Sequence, residues 1–136
     1  MTEKSYTTME LGAELGMDGY AQMNRLLNRF DKEGWLKPSV SPRAGSGSSA
    51  RYSEEDLLVA QIVLDAVPVD TGSLSLRQSR LLIAQAVKEH LGTAYYLVVR
   101  DDSTAGYNSA HQVMADIDTH GSGLIIPLQD YITAMD

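Results

Sequence analysis

Trp35-Leu36-Lys37-Pro38-Ser39, the loop Pro42-Arg43-Ala44-Gly45-Ser46-Gly47-Ser48-Ser49-Ala50, and Arg51-Tyr52-Ser53-Glu54-Glu55-Asp56-Leu57 form the stretch that decides how this chain reads. Trp35-Leu36 supplies apolar anchors and a short strand signal, while Pro38 and Pro42 forbid helix. Gly45 through Ser49 is a flexible loop tip, for which a plain linker is the competing reading. Against a linker, the chain resumes at once with Arg51-Tyr52, and Ser53 then caps a helix. Glu54, Glu55 and Asp56 lie in its first turn, where the helix dipole favours acids. The helix runs to about Ala66. Leu57, Leu58, Ile62, Val63 and Leu64 make it apolar on more than one face, so it is expected to be central.

Two shorter helices precede this stretch. Thr7-Thr8-Met9-Glu10 fits a capping box, Leu11 and Leu15 share a face one turn apart, and Gly16 is a natural stop, which predicts a helix over 8–15. Asp18 is the expected cap of the next helix. There Met23, Leu26, Leu27 and Phe30 follow at i, i+3, i+4 and i+7, a buried stripe, and Gly34 ends the helix. Gln22, Arg25, Asn28, Arg29 and Lys32 fall away from that stripe. Arginine can pair bidentately with guanine, asparagine and glutamine with adenine, and lysine meets phosphate. An ordinary solvated helix face is the competing reading. Helix, turn, helix, glycine-rich two-stranded loop and helix together are the layout of a winged helix-turn-helix.

Thr7-Thr8, Glu10-Leu11-Gly12 and Leu15-Gly16, then Glu33-Gly34-Trp35-Leu36-Lys37-Pro38-Ser39, then Gly45-Ser46-Gly47 and Arg51-Tyr52-Ser53-Glu54-Glu55-Asp56-Leu57, resemble the DNA-binding domain of the MerR family. The wing is similar to that of MerR-like regulators of actinobacteria and their phages. The resemblance covers residues 6–66, and its last motif is the most specific part. It implies DNA binding through the second helix and the wing, with Arg51 and Tyr52 beside the phosphate backbone. Arg25, Asn28 and Arg29 are the base-edge candidates, and Lys32, Lys37, Arg43 and Arg51 the phosphate candidates. Thr8, Tyr20, Gln22, Ser46, Ser48 and Tyr52 complete the expected DNA-binding set.

The charge pattern is split. The 136 residues carry a net charge of −7, which by itself speaks against a nucleic-acid binder. Between Arg25 and Arg51, however, six bases face two acids, a net +4. A local basic patch can hold phosphates while the rest of the surface repels them. After residue 66, only Arg77, Arg80, Lys88 and Arg100 stand against eight acids. The chain has no cysteine, so disulfides and thiol chemistry are excluded. The N-terminus lacks the apolar core of a signal peptide, and no apolar run is long enough to span a bilayer. A cytoplasmic protein without membrane contact is expected.

The second half is less explicit. Ser73 or Ser75 is expected to cap a helix reaching Leu91, with Leu76, Ile83, Val87 and Leu91 on its stripe, Leu82 and Ala86 reinforcing it, and Arg77, Arg80 and Lys88 off it. Tyr95–Val99 reads as a strand, Asp101 to Gly106 as a turn and Tyr107 as the start of a return strand. Asn108 or Ser109 caps a helix with Ala110, Val113, Met114 and Ile117 at helical spacing. Leu124–Leu128 is a further strand that Pro127 pushes towards an edge. The expected fold class is therefore α+β: a winged helix-turn-helix in residues 1–73, then, over 74–136, a linking helix and a small β-β-α-β element for dimerisation or regulation.

Catalytic chemistry is not expected. Asp101-Asp102 is better explained as a polar turn than as an acid/base pair, Asp116 and Asp118 face different ways, and nothing in the spacing of His90, His111 and His120 makes them converge on a metal. No cofactor is expected either. The expected activity is that of a sequence-specific regulator bound to double-stranded DNA as a homodimer, with the C-terminal region open to a protein partner or a small effector. The alternatives are a protein-interaction module on a winged-helix scaffold, or an excisionase-like architectural DNA binder.

Overall fold

A computed structural model describes residues 4–41, 50–67, 74–100 and 103–135. The fold is α+β, with six helices and two small antiparallel sheets among the described residues. It divides into two compact units, residues 1–81 and 82–136, so the division falls inside a helix and not at residue 73.

The first unit opens with strand β1 (Ser5–Thr7) and helix α1 (Thr8–Glu14). The capping box forms as the sequence predicts: Thr7 Oγ1 accepts from Glu10 N at 3.2 Å, and Glu10 Oε1 accepts from Thr7 N at 3.0 Å. Helix α2 (Tyr20–Glu33) buries Met23, Leu26, Leu27 and Phe30, the stripe read from the sequence. Its cap differs from expectation. Gly19, not Asp18, is the N-cap residue, with no side-chain bond, and the Gln22 side chain accepts from Asp18 N at 3.0 Å instead. The two helices meet closely, because a Cβ on Gly12 would lie 2.4 Å from Met23 Cγ. Gly34 ends α2 in the left-handed region, at φ 88°.

After Gly34 the structure departs from the expected strand. Trp35 and Leu36 are fully buried but belong to no sheet, since packing rather than a ladder holds them. The Trp35 ring lies 4.6 Å from that of Phe30 at 46°, a tilted aromatic pair. Strand β2 (Arg51–Ser53) finds its partner far along the chain, in β1, with Tyr6 opposite Tyr52. An isolated bridge between Ser41 and Arg51 closes the loop between them. The tip of that loop, residues 42–49, lies outside the described residues, as do the turn at 70–73 and Asp101-Asp102.

Helix α3 (Glu54–Ala66) is the centre of the first unit, with Leu57, Leu58, Val59, Ala60, Ile62 and Val63 all buried. Its capping box pairs Ser53 with Asp56. Asp56 Oδ2 also accepts from Ser39 N at 3.0 Å and Ser39 Oγ at 2.6 Å. One buried carboxylate thereby caps a helix and pins the segment that leads to the loop.

Helix α4 (Leu74–His90) carries residues of both units. Arg80, expected off its apolar stripe, is fully buried in the first unit and faces Glu33. In the second unit the buried positions of α4 are Ile83, Ala84, Ala86 and Val87. Strand β3 (Tyr96–Val99) is central, flanked by β4 (Thr104–Tyr107) and β5 (Leu124–Ile126), both antiparallel to it. Gly106 on β4 meets the end of α4, where a Cβ would stand 2.5 Å from His90 Nδ1. Ser109 caps helix α5 (Ala110–His120), which buries Val113 and Asp116 but leaves Met114 66% exposed, against the expected stripe. Pro127 follows the edge strand β5, and helix α6 (Leu128–Met135) ends the chain. No helix among the described residues is long and apolar enough to cross a membrane.

Candidate nucleic-acid interface

Amphipathicity sets what α2 presents. With Met23, Leu26, Leu27 and Phe30 turned into the core, the opposite ridge is Ala21, Arg25, Asn28 and Lys32, at i, i+4, i+7 and i+11. Arg25 and Lys32 are exposed, Asn28 is half-buried, and Tyr20 and Gln22 are exposed on the flanks. Neither Arg25 nor Lys32 is paired with an acid among the described residues. Among the described residues no acid neutralises their charge, which leaves it available to a partner.

The other cations of α2 and its following segment are restrained. Arg29 Nε donates to Glu33 Oε2 at 3.2 Å, and Lys37 Nζ to Asp31 Oδ1 at 3.2 Å. The Lys37 pair is largely solvated, so it contributes little and lets go readily. The Glu33 pair is different in kind, since the Glu33 side chain is only 9% exposed and also accepts from Trp35 Nε1 at 3.2 Å.

A second basic feature lies on the β1–β2 ribbon. Arg51 is exposed, and one of its terminal nitrogens donates to Ser5 Oγ at 3.3 Å. Lys4 stands over the Tyr6 ring, 5.5 Å from its centre. Hydrogen bonds from the Thr7 backbone and side chain hold the Glu10 carboxyl below its usual range, and the charges of Arg51 and Lys4 add to this. Lys4 was not foreseen, because it precedes every element with a sequence signature. Its charge and that of Arg51 both act on Glu10.

The structure sorts the sequence-based set. Tyr20, Gln22, Arg25, Asn28, Arg29, Lys32, Lys37 and Arg51 reach the surface. Thr8 and Tyr52 do not: Thr8 is buried in the first turn of α1, and Tyr52 is fully buried opposite Tyr6, so neither side chain is presented to a partner. Strand alternation explains Tyr52, since Arg51 outside puts its neighbour inside. Arg43, Ser46 and Ser48 lie outside the described residues.

The second unit holds a separate polar cluster. Arg100 donates to Asp116 Oδ1 at 2.5 Å and to the Gly121 carbonyl at 2.6 Å, and the Tyr107 hydroxyl donates to Asp116 Oδ2. These bonds, that from Tyr107 first, hold the Asp116 carboxyl below its usual range, and the same contact raises the Tyr107 hydroxyl. The signal for this cluster was an acid three residues after Val113, on the buried line of α5. Among the described residues no group of three or more histidines and carboxylates could hold a metal ion.

No protein-family model matches the chain, and no curated protein matches it.

Proposed function

We propose that the first unit is a winged helix-turn-helix that binds double-stranded DNA sequence-specifically, most simply as a transcriptional regulator. In this reading α1 and α2 are the helix-turn-helix, α2 enters the major groove, and the loop closed by the Ser41–Arg51 bridge is the wing on the adjacent backbone. The observation that carries it is the outward ridge of α2, with Arg25, Asn28 and Lys32 set opposite a fully apolar face and, among the described residues, no acid pairing the two cations. Arg25, Asn28 and Arg29 read base edges, while Lys32, Lys37, Arg43 and Arg51 meet phosphates.

Homodimerisation belongs to the same proposal, because such regulators read two half-sites related by a two-fold axis. In the second unit, β5 is an edge strand with Leu124 and Ile125 both exposed, and an antiparallel edge can pair with its own copy. The C-terminal unit then serves assembly, or seats a protein partner or small effector.

Selection of bound sequences from a random duplex pool by the whole chain tests the reading. An enriched motif is the expected outcome, with affinity that falls as salt rises. Four phosphate contacts per chain, in a dimer, give a log–log slope of roughly −7. The overall charge of −7 favours a second reading, a winged scaffold kept for protein contacts. It predicts no enrichment and no binding even at low salt.

A further inference from the structure

We infer that Glu33 is a positioning residue for base recognition: it fixes Arg29 for an end-on contact in the groove, and the buried Arg80 of α4 fixes Glu33. The inference rests on the DNA-binding reading above. An arginine and a glutamate four residues apart on a helix ordinarily form a loose surface pair of little consequence. Here the carboxylate is not loose. Its side chain is 9% exposed, Oε1 accepts from the Trp35 indole at 3.2 Å, and Arg80, whose side chain is fully buried, stands 3.6 Å from the same oxygen. Trp35 and Arg80 are held by the core, so Glu33 has one geometry to offer.

Oε2 of that carboxylate takes the Nε–H of Arg29 at 3.2 Å. The planar guanidinium is then oriented, and one N–H of each terminal nitrogen, the end-on pair, points away from that carboxylate. Those groups form the fork that matches O6 and N7 of guanine. The Arg29 side chain is 37% exposed, which leaves that end accessible. Preorganisation of this kind raises discrimination more than affinity, because a free arginine finds a phosphate as readily as a base.

The test uses the whole chain and the duplex motif selected with it. Affinities are measured for that duplex, for its single-base-pair variants and for random DNA, with Glu33→Gln beside the native chain. Glu33→Gln removes an acid, so binding to random DNA is expected to hold or rise. Preference at one guanine-bearing position should fall about 3- to 10-fold while the other positions keep theirs. In an Arg29→Ala background the same change should no longer alter any preference. A structural role alone would lower binding to all duplexes alike, and that outcome, or unchanged preference at every position, overturns the inference while leaving the DNA-binding reading intact. Failure of the native chain to enrich any motif overturns both. If Glu33→Gln does not fold because the buried Arg80 loses the Glu33 charge beside it, Glu33→Gln with Arg80→Met removes that guanidinium as well and carries the same expectations.

Discussion

The two units handle arginine and carboxylate in opposite ways. The first displays cations: Arg25, Lys32 and Arg51 are exposed, and its buried Arg80 and Glu33 support the surface from beneath. The second has Lys88 and Arg100 as its only bases against seven acids, and Arg100 is folded inward on Asp116. Net charge is therefore a poor guide to what this chain binds. The −7 total conceals a window from Arg25 to Arg51 that carries +4 and a second unit that is acidic.

The strongest way to break this contrast is to remove what supports the basic face. Trp35→Ala deletes a fully buried indole that packs at a tilt against Phe30 and donates to Glu33, and should cost the first unit about 3–5 kcal/mol in urea unfolding. Hydrogen exchange resolved by element should show the loss in α2 and α3. Equal loss of protection in β3 and β4 would mean that the two regions do not differ in the way described.

A second change strips the face and spares its support. Arg25→Ala with Arg51→Ala should weaken duplex binding by roughly 100-fold or more, with the melting curve little changed, because both side chains are exposed. Removing Lys88 from the acidic unit should leave binding nearly as it is.

The inward-facing cluster is sharpened by pH. The Asp116 carboxyl is depressed in the fold, so its contribution is fully present above the ordinary aspartate value, near about 4, and is lost as pH falls through the folded value. Tyr107 is raised, so its contribution is present below the ordinary tyrosine value, near about 10, and is lost as pH rises beyond it. Tyr107→Phe should destabilise the second unit at neutral pH and flatten the acid limb of its stability. An acid limb identical to the native one would remove Asp116 as its source.

The smallest effect is expected at the caps. Ser53→Ala should cost about 1 kcal/mol by thermal or urea unfolding, since Asp56 still holds Ser39 and the Ser53 backbone when the hydroxyl is gone.

What could be read from the sequence was local. The Thr7–Glu10 box, the Ser53 cap, the Gly34 stop and the stripe of α2 each depend on residues within two turns of one another, and each is found in the structure. Contacts between distant residues were not legible. Ser5–Thr7 is three residues long with no alternation to mark it, and its partner Arg51–Ser53 lies some 46 residues on. Trp35-Leu36 looked like a strand because apolar side chains signal burial whatever backbone carries them. Arg80 was assigned outward on the rule that charges face solvent, and only the position of Glu33 shows why it is inside. Of the interface, the polar face of α2 followed from periodicity. The burial of Tyr52 opposite Tyr6 and the contact of Arg51 with Ser5 depend on the ribbon that periodicity did not reveal.

The most direct measurement is a fluorescence-anisotropy titration of the whole chain against its selected duplex, at two salt concentrations, with random duplex as competitor. Saturable binding that survives the competitor, weakens steeply with salt and is lost in the folded Arg25→Ala/Arg51→Ala variant is the predicted result. No binding at low salt, or undiminished binding by that variant, would contradict the assignment of α2 and the β1–β2 ribbon as a DNA-binding face.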